Sequence, residues 1–136
     1  MGSLFSKEVE NPLNNVMFAP QQVSHDYLNR SDKSDIKFIQ SKNGNRITFQ
    51  IIVPNISDPK YTRMEQKYII WSHGNASSIF DMRDYLKYLS NKLNVCVVIY
   101  DYQGYGLSEG TPSEQKCYED HETIVDYMLN IMKINR

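Results

Sequence analysis

A chain of 136 residues is the length of one modest domain and too short for two independent cores. Its net charge of -1 gives no global basic field for nucleic acid, and its ten tyrosines are scattered without alternating with Lys or Arg. Two cysteines exclude a disulfide framework, and no apolar run approaches the roughly 18 residues that a membrane span needs.

Residues 1–35 read as a polar N-terminal segment, uneven in composition, with clusters of Asn, Ser and Asp and two prolines. It opens Met1-Gly2-Ser3-Leu4-Phe5-Ser6, which fits the M-G-x-x-x-S pattern for acylation of Gly2 once Met1 is removed. The same string also arises by chance or as a vector-derived start. One acyl chain holds a protein only marginally on a membrane, and a second signal is weak here, because Lys7 is followed by Glu8 and Glu10 with no cysteine nearby. The start lacks a secretory apolar region, and Cys96 and Cys117 read as reduced packing residues, so the expected setting is cytoplasmic, membrane-peripheral if Gly2 is acylated. "NVMFAP" (15–20) is a short segment able to lay an apolar patch against the domain.

The second unit, 36–136, begins with a predicted β-hairpin. Ile36 and Phe38, then Ile47, Phe49, Ile51 and Val53, alternate with polar residues, and Asn43-Gly44 supplies positive φ between the strands. "KYIIWSHGN" and "VCVVIYDYQG" are short continuous apolar runs, as expected of strands covered on both faces. Between them Met82, Leu86, Leu89 and Leu93 recur at helical spacing, with Ser78 and Asp81 as a candidate capping box. A second helix is predicted from Thr111-Pro112-Ser113-Glu114, its apolar face formed by Tyr118, Val125, Met128, Leu129 and Met132. The fold class is therefore α/β: a hairpin followed by two parallel strands alternating with two helices.

Two loops carry the chemistry. After the first apolar run, Ser72-His73-Gly74-Asn75-Ala76 makes a turn whose backbone N–H groups could hold an oxyanion; the alternative is a tight turn in which Gly74 only permits the geometry. After the second, Gly106-Leu107-Ser108-Glu109-Gly110 matches G-x-S-x-G. A nucleophile elbow needs a strand running straight into the first glycine and a helix starting at the serine. Here the strand ends near Asp101, Gly104-Tyr105-Gly106 intervenes, and the helix signal comes only at 111–114. Ser108 thus reads as a loop serine. Gly104, Gly106 and Gly110 also miss the dinucleotide spacing.

The strings "WSHGNASS", "VVIYDYQGYGLSEGTPSE" and "NGNRI" together resemble the N-terminal half of an α/β-hydrolase, over residues 15–136, and in particular the α/β-hydrolase-domain serine hydrolases that include protein depalmitoylases. The resemblance implies that His73-Gly74-Asn75 is the oxyanion loop, with the Asn75 backbone N–H as one donor. It also implies that the loop with Asp101, Gly104, Gly106 and Ser108 is structural. The family continues into a strand bearing the nucleophile, then an Asp and a His, whereas this sequence stops at Arg136. Nucleophile, acid and base are therefore expected to be missing, and the chain inactive alone. Asp120-His121 is no substitute, since adjacent helix residues point about 100° apart; His121 is expected to be a partly buried structural residue, and His25 offers nothing firmer. No metal or cofactor is expected, three dispersed histidines and two distant cysteines lacking ligand spacing. The expected partner is a complementing C-terminal hydrolase segment or a second copy. The rival expectation is a non-catalytic interaction module or relic, and a hydrolase using Ser108 comes third.

Overall fold

A computed structural model describes residues 11–21, 23, 35–55 and 66–135. The elements in chain order are α1 (Asn14–Met17), β1 (Ile36–Gln40), β2 (Arg46–Ile52), β3 (Tyr68–Ser72), α2 (Ile79–Leu93), β4 (Cys96–Tyr100) and α3 (Glu114–Asp126), which runs on into a π-helical turn, Tyr127–Ile131. The four strands form one sheet in the order β1-β2-β4-β3. β1 and β2 are the expected antiparallel hairpin, with Gly44 at φ +93° in its turn. β2 pairs antiparallel with β4, and among the described residues β3 pairs only with β4, in parallel.

Position in the sheet explains burial. All five residues of β4 are buried, because Val97 and Ile99 face one core with Ile79 and Leu86 of α2, while Val98 and Tyr100 face the other with Ile124 of α3. A central strand with a helix on each face has no solvated side, hence the unbroken apolar run. β2 departs from the expected half-buried alternation for the same reason. Its polar residues Thr48 and Gln50 are as buried as Ile47 and Phe49, since β2 lies between β1 and β4. Val53, just beyond the strand, is 58% exposed.

Both helices bury a different stripe from the one their apolar spacing predicts. In α2 the inward residues are Ile79, Arg83, Leu86 and Ser90, while Leu93 is 54% exposed and Met82 and Leu89 pack at the margin. In α3 they are Asp120, Thr123 and Ile124, followed by Met128; Tyr118 is exposed. The capping box at Ser78 does not form. Ser78 Oγ donates to the Asp81 carboxylate (2.9 Å), and the first helical N–H, that of Ile79, donates instead to Asp101 Oδ1 across the sheet end (2.8 Å). α3 starts within the predicted 111–114 stretch, and Ser113 caps it, its Oγ accepting from Lys116 N at 3.2 Å.

Candidate functional site

β3 and β4 are parallel, so the loops that follow them leave the same sheet edge side by side. The first, 73–78, carries the H-G-N-A string. The second, 101–110, carries Ser108.

Asp101 is the buried hub between them. Its carboxylate accepts from Ile79 N at 2.8 Å and Thr48 Oγ1 at 3.2 Å. His73 Nε2 lies 3.2 Å from Asp101 Oδ1 but out of line for a hydrogen bond, while His73 Nδ1 is 2.9 Å from Gly74 O. The imidazole is fully covered, tilted against the rings of Tyr102 and Tyr105 at centroid distances of 4.7 and 5.5 Å. Tyr102 Oη donates to His73 O at 3.0 Å. Burial holds the phenols of Tyr100, Tyr102 and Tyr105 above the ordinary tyrosine range, so each stays a protonated donor at neutral pH. His73 is thus a buried spacer that shapes the loop.

Asn75 is exposed, yet its side chain is fully engaged. Oδ1 accepts from Tyr105 Oη (2.7 Å), Ala19 N (2.9 Å) and Ala76 N (3.0 Å), and Nδ2 donates to Met17 O (3.0 Å). Its backbone N–H has no hydrogen-bond partner among the described residues. The positive φ in this loop belongs to Ala76 (+57°), not to Gly74. A Cβ added at Gly74 would meet nothing within 4 Å. The tight-turn explanation of Gly74 therefore fails: neither backbone conformation nor crowding within the described chain requires a glycine there.

The second loop is closed on itself. Ser108 Oγ donates to Asp101 O (2.8 Å) and accepts from Thr48 N (2.9 Å), and Glu109 N donates to Arg46 O (2.8 Å). Ser108 lies on neither a strand end nor a helix start, and its hydroxyl has no histidine partner among the described residues. The two glycines of the G-x-S-x-G string, and Gly104 before it, are conformational and steric. Gly106 sits at φ +54° with its virtual Cβ 2.0 Å from Asp101 Oδ2, Gly110 at φ +84° with its own 2.6 Å from Asn45 Nδ2, and Gly104 at φ +84° with its own 2.7 Å from Pro112 Cδ.

Asp120, set aside at the sequence level, proves central to this loop's anchorage. Its Oδ1 accepts from Ser41 Oγ and Gln103 Nε2, both at 2.8 Å, and its Oδ2 from Gln103 N at 2.8 Å. Only the polar character of 41–45 and Gln103 could have hinted at that network. His121, expected to be partly buried, is exposed, although its Nδ1 reaches Tyr100 Oη of β4 at 3.3 Å. Gly2 and His25 lie outside the described residues. Among the described residues no group of three or more His, Cys, Asp or Glu could hold a metal ion, and no helix is long and apolar enough to cross a membrane.

This arrangement of a mixed sheet, helices on both faces and two loops at one parallel sheet edge is that of the α/β hydrolases. No family model matches the chain. It is 48% identical over 73 residues (53% of this chain, 28% of the relative) to a protein of Acanthamoeba polyphaga mimivirus that bears the name alpha/beta hydrolase. It is 35% identical over 85 residues (61% of this chain, 26% of the relative) to alpha/beta hydrolase domain-containing protein 17B of Homo sapiens. Among solved structures, an alpha-beta hydrolase from Vibrio vulnificus matches with a TM-score of 0.56 at 17% identity, covering 89% of this chain and 40% of that one. The Pyrococcus furiosus esterase Pf2001 matches at 0.57 and 20% identity, covering 84% and 41%. The chain is related to the α/β-hydrolase superfamily and carries a partial form of its fold. It spans about a quarter of the length of the curated relatives it matches.

Proposed function

We propose that residues 36–135 form the scaffold and oxyanion-binding part of a serine hydrolase of the esterase or thioesterase type, with nucleophile, acid and base supplied by a further segment that adds to the sheet beside β3. The observation that carries this reading is the Asn75 loop. Among the described residues its side-chain amide is used up in hydrogen bonds, its backbone N–H has no partner, and the adjacent Gly74 leaves open space that no contact demands. A preorganised N–H beside an uncrowded glycine is what stabilises a developing oxyanion in acyl transfer. Without a nucleophile and base such a donor gives only residual catalysis. The chain alone is therefore expected to be inactive, Ser108 being committed to Asp101 O and Thr48 N.

The test has two arms. Residues 1–136 are incubated with a fluorophosphonate probe and an acyl ester; covalent labelling lost in Ser108→Ala overturns the structural role of Ser108. The chain is then co-expressed with the C-terminal portion of its mimivirus relative. Ester hydrolysis in the resulting complex supports the scaffold role, whereas a stable complex without hydrolysis favours the second reading, a non-catalytic interaction module. The open edge of β3 is what favours that alternative. We also propose that Gly2 is acylated and that the chain is cytoplasmic and membrane-peripheral. Mass spectrometry after co-expression with an N-myristoyltransferase tests the modification.

A further inference from the structure

The segment that meets the Asn75 loop is turned inside out relative to an ordinary surface helix. Leu13, Val16 and Met17 stand at i, i+3 and i+4 on one face of α1, and they are 60%, 84% and 60% exposed. No residue of 11–21 is buried. The segment is held by its backbone, Met17 O and Ala19 N being clamped by the Asn75 side chain at 3.0 and 2.9 Å, and its Phe18 and Pro20 are half-buried. The clamp fixes the segment with Leu13, Val16 and Met17 outward, three neighbouring apolar side chains that nothing among the described residues covers.

We propose that the Leu13–Val16–Met17 face is a bilayer-contact surface, the second membrane signal that a singly acylated N-terminus requires. This rests on the proposed acylation of Gly2. Three observations select lipid over a protein partner. The stretch 11–23 contains no charged residue, so nothing in it would have to be stripped of strong hydration on entering the interface. A helix of four residues offers far less area than a specific protein interface of about 1,200–2,000 Å² requires, whereas membrane partition needs only apolar transfer. The face begins eleven residues after Gly2, and Leu4 and Phe5 lie between, so acyl chain and α1 can enter one bilayer together. Because Asn75 holds the segment, the oxyanion loop is placed at the bilayer surface. Glu8 and Glu10 flank the segment, so attraction to anionic lipid contributes nothing.

The test compares the myristoylated chain with its Leu13→Ser/Val16→Ser/Met17→Ser variant on phosphatidylcholine vesicles, with and without phosphatidylserine. Near-UV circular dichroism verifies that the variant keeps its fold. The variant is expected to partition at least about 10-fold less than wild type, from the loss of buried apolar area, and phosphatidylserine is expected to give no gain. Equal partition of the two proteins overturns the proposal. Failure of the acylation itself is read separately, by mass. In that case Val16→Cys in a Cys117→Ser background, labelled with an environment-sensitive fluorophore, is titrated with phosphatidylcholine vesicles. A blue shift at high lipid supports the contact, and an unshifted spectrum overturns it.

Discussion

Gly106 offers the sharpest test of why the G-x-S-x-G string exists in this chain. In Gly106→Ala the new methyl would occupy a residue at φ +54° and stand 2.0 Å from Asp101 Oδ2 and 2.6 Å from its carboxyl carbon. The left-handed conformation alone costs a residue with a Cβ about 1–2 kcal/mol. The overlap adds more, because Asp101 is fully buried and cannot swing into solvent. Moving its carboxylate strands Ile79 N at the start of α2, a buried donor whose loss costs about 1–3 kcal/mol, while Thr48 Oγ1 keeps Ser108 Oγ at 3.1 Å. The expected loss is ~3–6 kcal/mol, a large share of the 5–15 kcal/mol typical of a whole domain. Gly44→Ala is the control: its φ is +93°, but the nearest atom to its virtual Cβ, Gln40 Nε2, is 3.9 Å away, so it carries the conformational cost without the overlap. Urea unfolding of the three proteins, with unchanged m-values, gives both differences. A Gly106→Ala loss below about 1 kcal/mol, or equal to that of Gly44→Ala, would refute the reasoning, and with it the assignment of this loop as structural.

Gly74→Ala is expected to leave stability within about 0.5 kcal/mol of wild type, since its added methyl meets no atom, while lowering ester hydrolysis by the complemented hydrolase; a large stability loss would mean that the glycine serves the fold. Asp120→Asn is expected to cost about 1–3 kcal/mol, because one carboxylate oxygen becomes a donor facing the donors of Ser41 or Gln103. Burial lifts the Asp120 carboxyl above the usual carboxylate range, against the hydrogen bonds from Gln103 and Ser41, so the folded state takes up this proton before the unfolded chain does. Its contribution is therefore fully present below the unfolded value and lost as pH rises through the folded one, so the wild-type advantage over Asp120→Asn should widen from pH 7 to pH 4; a narrowing gap contradicts the burial-dominated reading. Cys117, its thiol pushed up to about 11 chiefly by burial, is expected to react slowly with iodoacetamide at pH 8; fast alkylation of the folded chain would contradict that burial.

The elements legible in the sequence were those in which local chemistry and tertiary role agree. Asn43-Gly44 marked the hairpin because a type of turn demands positive φ, and "VCVVIY" marked a central strand because both faces of β4 meet helices. The His73–Asn75 loop was placed correctly after β3, yet the part played by the Asn75 side chain was not legible. It depends on Tyr105, thirty residues away, and on Ala19 and Met17, more than fifty away in the other direction. The buried polar residues were missed for one shared reason. Thr48, Ser90, Gln103 and Asp120 read as surface by composition, and they enter the core where hydrogen-bond partners distant in the chain or beyond their own element satisfy them. Ser90 Oγ, for instance, donates to Val95 O at 2.7 Å, closing the end of α2.

The mismatch on α3 carries a further consequence. Its described inward face is Asp120, Thr123, Ile124 and Met128, two of them polar, whereas its apolar spacing runs through Val125, Leu129 and Met132, which stay half-exposed. Val125 and Leu129 line a groove of about 490 Å³ with Tyr68 and Ile70 of β3 and Ile134. Among the described residues β3 is at the same time an edge, paired with β4 alone, with Ile69, Ile70 and Trp71 in succession and no proline. One added strand would pair the open backbone edge and cover the groove together, which explains why the apolar periodicity points there. Unpaired edges of this kind are templates for another chain. The isolated chain is therefore expected to self-associate, and a complementing hydrolase segment is expected to return it to a single defined species with slowed amide exchange at 68–72. Light scattering with hydrogen exchange decides the matter. A monodisperse monomer whose β3 amides are already strongly protected would show that the edge needs no partner, and would remove the physical basis for a strand-adding segment.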